Sequence, residues 1–110
     1  MSDTLVRLAA TITSRRAASG SASYTKSLLD KGAAACAKKL GEEATETIIA
    51  AVGESEEKLR NEAADLIYHL LVLLEARNVP FEAVLSELER RTSQSGHAEK
   101  ASRPQSGSAS

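Results

Sequence analysis

The chain has 110 residues, 42% of them hydrophobic and only 3% aromatic, with no Trp and a formal net charge of -1. That length bounds it to one domain with a tail, and the apolar content excludes a disordered chain. The near-neutral charge lacks the basic footprint of a nucleic-acid binder, so no nucleic-acid partner is expected.

Leu5, Leu8 and Ile12 are spaced i, i+3, i+7, which predicts an amphipathic helix over residues 3 to 17, with Ser2 or Asp3 as its N-cap. The start MSDTLVRLAATI lacks the basic stretch and apolar block of a signal peptide. ASGSAS, residues 18 to 23, reads as a flexible loop whose Ser23 caps a short helix, YTKSLLD, ending near Gly32. Residues 33 to 52 read as a long helix closed by Gly53. Within it, Cys36 reads as a small apolar core residue rather than a nucleophile, and a lone cysteine fits a reducing compartment. Ser55 caps the next helix, with Glu56 and Glu57 at its positive end. That helix runs to about Arg77, before Val79-Pro80 breaks it. Residues 81 to 92 form a last helix with Phe81, Val84, Leu85 and Leu88 on one face.

No segment alternates apolar and polar residues over strand length, so the fold is expected to be all-α. The domain spans residues 1 to 92, and residues 93 to 110 form a polar, partly disordered C-terminal tail. Leu59, Ala63, Leu66, Ile67, Leu70, Leu71, Val72, Leu73 and Leu74 make the 56 to 77 helix apolar nearly all round. Such a helix has to be covered on several sides, which one short chain does poorly. A homodimer that completes a helical bundle is therefore expected. The longest apolar run, LIYHLLVLL, is too short to span a bilayer, so the expected setting is the cytoplasm, with no membrane partner.

The chemistry lies in two acidic pairs. On a helical wheel Glu43 and Glu46 fall about 60° apart, at the edge of the stripe of Leu40, Ala44, Thr47 and Ala51. Glu62 and Asp65 are related in the same way on the next long helix, and His69 falls between them one turn on. If the two strips face each other, four carboxylates converge. They cannot all stay ionised in a low-dielectric pocket unless cations neutralise them. Oxygen-only ligands favour a hard divalent ion, Mg²⁺ or Mn²⁺, and protein-held magnesium usually also holds substrate phosphate. Zinc and di-iron sites fit less well, with one histidine near and no Glu-x-x-His pair. Either pair alone would read as a solvated face bonded to lysines. The second pair carries more weight, because its helix has almost no polar face on which to put two acids and a histidine. His69 itself fits both a core histidine bonded to a carboxylate and a residue that contacts substrate.

The blocks KKLGEEATE and EAADLIYH resemble the phosphoribosyl-ATP pyrophosphatase family of histidine biosynthesis, within the all-α, MazG-like NTP pyrophosphatases. The shared signature, Glu-x-x-Glu then Glu-x-x-Asp, falls on Glu43, Glu46, Glu62 and Asp65. Ser23-Tyr24-Thr25, Leu28-Leu29, Lys31-Gly32, Tyr68-His69 and the tail SGHAEKASR add to the likeness, which covers roughly residues 3 to 103. The resemblance implies Mg²⁺-dependent hydrolysis of phosphoribosyl-ATP to phosphoribosyl-AMP and pyrophosphate, with Glu43, Glu46, Glu62 and Asp65 as metal ligands. It implies attack by a metal-activated water, without a covalent intermediate, and allows Glu42 to orient a water or bind a second ion. An anionic substrate calls for basic residues. Lys38 and Lys39, one turn before the acids, come first; Lys31, Arg90, Arg91, Lys100 and Arg103 follow, and the Ser95-Gly96 stretch would close over substrate. For Arg90 and Arg91 the helix dipole offers a structural reason instead. Two other readings stand beside this one: a house-cleaning dNTP pyrophosphatase of the same superfamily, and a non-enzymatic helical dimerisation module whose acids only make ion pairs.

Overall fold

The computed structural model describes residues 2–17 and 23–93. Five helices follow one another: α1 (Ser2–Arg16), α2 (Tyr24–Lys31), α3 (Ala33–Gly53), α4 (Glu56–Ala76) and α5 (Phe81–Ser93). There is no strand among the described residues, and the all-α expectation holds. None of these helices is long and apolar enough to cross a membrane. Most of the expected ASGSAS loop, and the tail beyond Ser93, lie outside the described residues.

The ends of the helices follow local chemistry. Ser23 caps α2 and Ser55 caps α4, each side chain accepting a hydrogen bond from the backbone N–H three residues on, Lys26 and Lys58. Gly32 lies between α2 and α3 at φ 98°, a conformation that costs glycine nothing and strains other residues. Its N–H donates to the Leu29 carbonyl at 3.1 Å and its carbonyl accepts from Cys36 at 3.1 Å, so one residue ends one helix and starts the next. Gly53 was expected to close α3 but lies inside it. The helix ends instead at Glu54, which turns extended while its N–H still donates to the Ala50 carbonyl at 3.0 Å. An extended Glu54 leads straight into the Ser55 cap, so no left-handed residue is needed. At the end of α4 that role falls to Asn78 at φ 59°, a residue type that tolerates it, just before Val79-Pro80.

α3 and α4 are joined by two residues and double back on each other along most of their length, about 30 Å. They form the main packed pair, and Thr47 of α3 pins them by donating to the Glu62 carbonyl of α4 at 3.1 Å. The core gathers at the end of this hairpin away from its turn. Ile12, Leu28, Cys36, Leu71 and Val72 are buried there, with Leu8, Leu29, Tyr68 and Phe81 packed around them. The Cys36 thiol donates to the Leu28 carbonyl at 3.3 Å, and burial pushes its pKa up, which suits a core residue and not a nucleophile. α1 is tied to α4 by polar contacts as well. Thr13 and Arg16 both donate to the Glu75 carboxylate at 2.7 Å. Burial raises the pKa of that carboxyl, but these bonds outweigh it and hold it below its ordinary value.

Towards the turn the picture reverses. From residue 44 to residue 66 only one apolar side chain, Ala50, is buried. Ile48, Ile49 and Val52 of α3 are exposed, Val52 to 82%, and Ile67 and Leu70 of α4 are partly so. Between the packed end and this bare end lie the acids.

Candidate functional site

Glu43 of α3 and Glu62 of α4 are both buried, at 7% exposure each, where the two helices face each other. Each gives one oxygen to a lysine one turn earlier on its own helix. Lys39 Nζ lies 3.5 Å from Glu43 Oε2, and Lys58 Nζ lies 3.3 Å from Glu62 Oε2. The other oxygen of each, Oε1, is buried with no hydrogen-bond partner. Asp65 is exposed, one turn on from Glu62. Glu43, Glu62 and Asp65 can each offer a carboxylate oxygen such that all three lie within 4.8 Å of one another. Two unit charges at that separation repel by about 3 kcal/mol at an effective dielectric of about 20. Three convergent acids, two of them with an orphaned buried oxygen, form the donor set that a hard cation takes.

Glu46 stands at the rim. It is exposed and lies outside the group of three. The charges of Glu43 first, and then of Glu62, raise its pKa above the ordinary carboxylate value. Of the four acids expected to converge, the fold thus closes three into one knot and leaves the fourth within its field. Glu42 is exposed and lies 3.6 Å from Lys39 Nζ, so that lysine bridges Glu42 and Glu43.

His69 is buried beneath the cluster. Its Nδ1 is 2.8 Å from the Asp65 carbonyl oxygen, and its Nε2 is 3.1 Å from the Tyr24 hydroxyl. Its partners are thus a backbone carbonyl and a phenol, and not a carboxylate. The basic residues fall into two groups. Lys38 and Lys39 lie on α3 one turn before the acids, Lys38 exposed and Lys39 half-buried, while Lys31 is exposed at the end of α2. Arg90 and Arg91 of α5 both bind Glu87 on their own helix, at 2.6 and 2.9 Å, and their hydrogen bonds lower that carboxyl to about 2. Lys100, Arg103 and the Ser95-Gly96 stretch lie outside the described residues.

Two contacts around the cluster were not singled out from the sequence. Lys58 holds Glu62, and the i, i+4 spacing was the available signal. Tyr24 holds His69, and no local spacing connects residues on different helices. A hollow of about 330 Å³ between α1, the end of α4 and the start of α5 is lined by Val6, Ala9, Leu71, Glu75 and Phe81, among others, and by none of Glu43, Glu46, Glu62 and Asp65.

Comparison with known proteins adds the rest. The family model described as phosphoribosyl-ATP pyrophosphohydrolase matches residues 5–92. The phosphoribosyl-ATP pyrophosphatase of Azorhizobium caulinodans is 55% identical over 103 residues, covering 94% of each chain. Phosphoribosyl-ATP pyrophosphatase 1 of Bradyrhizobium diazoefficiens is 58% identical over 100 residues, 91% of this chain and 94% of its own. The phosphoribosyl-ATP pyrophosphatase of Zymomonas mobilis is 53% identical over 104 residues, 94% of this chain and 97% of its own.

Proposed function

The chain belongs to the phosphoribosyl-ATP pyrophosphohydrolase family, and from that premise we propose how its geometry serves the hydrolysis of phosphoribosyl-ATP to phosphoribosyl-AMP and pyrophosphate, the second step of histidine biosynthesis, in the cytoplasm. The observation that carries the reading is the convergence of Glu43, Glu62 and Asp65, with Glu43 Oε1 and Glu62 Oε1 buried and without a hydrogen-bond partner. We assign Glu43, Glu62 and Asp65, with Glu46 at the rim, as ligands for Mg²⁺, for which Mn²⁺ can substitute. When bound, such an ion neutralises the acids, gathers polyphosphate oxygens and makes water a better nucleophile.

The rest of the work falls to the chain. Lys39 and Lys58 hold one oxygen each of Glu43 and Glu62, which leaves the other, buried oxygens without a partner in the protein. Lys39 also bridges to Glu42, and with Lys38 it forms the cationic end of the strip, placed to meet phosphate oxygens. Lys31 is a further candidate on α2, and Arg90 and Arg91 would first have to leave Glu87. Glu42, exposed and paired with Lys39, is free to orient a water or bind a second ion. The experiment is a pyrophosphate-release assay with Mg²⁺, run on phosphoribosyl-ATP and on the four dNTPs. Turnover of phosphoribosyl-ATP at least about a hundredfold above any dNTP is expected, since a site built around one substrate's polar groups discriminates strongly. Preference for a dNTP would establish the house-cleaning reading instead.

The bare end of the α3–α4 hairpin supports a homodimer. Ile48, Ile49 and Val52 form an exposed apolar strip on the helix that carries Glu43 and Glu46, the kind of surface that marks an interaction site. A second copy covering it would complete the bundle and flank the cluster. Ile49→Asp is therefore expected to turn a dimer into a monomer in sedimentation equilibrium at micromolar concentration. A wild-type protein that sediments as a monomer there would refute the pairing.

A further inference from the structure

Two sequence motifs not used by the acidic cluster, Ser23-Tyr24-Thr25 on α2 and Tyr68-His69 on α4, meet each other in the fold. Ser23 caps α2 by accepting from the Lys26 N–H at 3.1 Å. Thr25 is buried and hydrogen-bonds the Tyr68 hydroxyl. The Tyr24 hydroxyl lies 3.1 Å from His69 Nε2. The direction of that bond follows from the other side of the ring. His69 Nδ1 faces the Asp65 carbonyl oxygen at 2.8 Å, and a carbonyl oxygen only accepts, so Nδ1 carries the proton. In the neutral ring Nε2 is then an acceptor, and Tyr24 donates to it. Both nitrogens of buried His69 are committed, so what the ring does is hold Tyr24.

Tyr24 is held on three sides. Its hydroxyl is on His69, its ring stacks on Tyr68 with centroids 6.3 Å apart and planes 21° apart, and it meets the His69 ring edge-on at 6.0 Å. Half of its surface nevertheless stays open, at 51% exposure. The anchor itself is tied to the cluster, because the carbonyl that orients His69 belongs to Asp65. Lys39, Glu43 and Asp65 lie near enough for their charges to act on the Tyr24 hydroxyl. An aromatic ring that is fixed, half bare and beside a cation-binding cluster has the properties of a stacking platform.

We propose that Tyr24 contacts the substrate, its open ring stacking on the purine of the bound nucleotide, and that His69 is the positioning residue that fixes the ring. This rests on the nucleotide-hydrolase reading above. A nucleotide whose phosphates meet the cation that Glu43, Glu62 and Asp65 would hold carries its base near them, and every base has a π-face to offer.

The test uses the whole protein with Mg²⁺ and two probes, AMP, which carries a purine, and inorganic tripolyphosphate, which carries none. Both are measured by calorimetry. Tyr24→Leu removes the ring, and Tyr24→Phe keeps it but removes the bond to His69. Tyr24→Leu is expected to weaken AMP and raise KM about tenfold, the order of one base-stacking contact, while kcat, tripolyphosphate affinity and Mn²⁺ affinity stay within about twofold. Tyr24→Phe is expected to recover most of the AMP affinity, and the residual loss measures what the His69 bond contributes. Equal loss for both probes, or AMP binding unchanged in Tyr24→Leu, overturns the proposal. So does a change of oligomeric state in Tyr24→Leu, which would make Tyr24 a subunit contact. Failure of the underlying reading is separate: it would show in the wild type, as binding of neither probe.

Discussion

Glu62→Gln is expected to abolish Mn²⁺ binding in calorimetry and to reduce turnover by about 10³-fold or more, since a catalytic divalent ion supplies several kcal/mol of transition-state stabilisation. Glu62 has one oxygen on Lys58 at 3.3 Å and the other buried without a partner, and it converges with Glu43 and Asp65. An amide of the same shape keeps the packing but replaces an anionic donor with a neutral one. The metal-free variant should melt at the wild-type temperature or above it, because one of three mutually repelling carboxylates is gone and only an exposed lysine loses its partner. The two proteins should separate when Mg²⁺ is added. A site that binds only the folded state gains about 2.7 kcal/mol at a ligand concentration a hundred times Kd, so the wild type should melt several degrees higher and the variant should not move. A Glu62→Gln protein that binds one Mn²⁺ normally and turns over at the wild-type rate would rule out the assignment. Absence of Mn²⁺ binding in the wild type as well as the variant, with no activity in either protein, would point to the dimerisation module.

Ile12→Ala is expected to destabilise the fold by about 2–5 kcal/mol, the range for removing a fully buried branched side chain. Ile12 is 1% exposed and is the one fully buried side chain among those described on α1, packed among Leu28, Leu71 and Val72. In a domain of this size, with about 5–15 kcal/mol to lose, each kcal/mol moves the midpoint by about 4–8 °C, so a fall of ten degrees or more is expected. Thr11→Ala, exposed and adjacent on the same helix, should change stability by no more than about 0.5 kcal/mol. The bonds from Thr13 and Arg16 to Glu75 remain in both variants, so the difference between them isolates the core contact. Equal melting of the two variants by thermal circular dichroism would show that α1 is held by its polar ties instead.

The acidic signature was legible because it is local. Glu-x-x-Glu and Glu-x-x-Asp each place two carboxylates on one strip of one helix, and helical periodicity needs no tertiary information to say so. The same holds for the Ser23 and Ser55 caps, where the interacting groups are three residues apart. Gly53 shows the limit of such rules. A glycine near a helix end suggests a left-handed cap, but a serine cap two residues later made an extended exit the cheaper route. Arg90 and Arg91 show another. Two basic residues in sequence look available to a phosphate, but both turn onto Glu87 three and four residues earlier on their own helix.

The sequence by itself determined the all-α class, the two long helices and the four acids, all through spacings within one helix. The tertiary structure alone decided which acids meet: Glu43, Glu62 and Asp65 form the knot, with Glu46 at its rim. It also decided that His69 points to Tyr24 and to the Asp65 carbonyl. The reason is physical. Periodicity fixes the direction of a side chain about its own axis, but the distance between groups on different helices depends on the rotation and register of their packing. At α3 and α4 that is set by the two-residue connection, by Thr47 on the Glu62 carbonyl, and by a core gathered at one end of the hairpin.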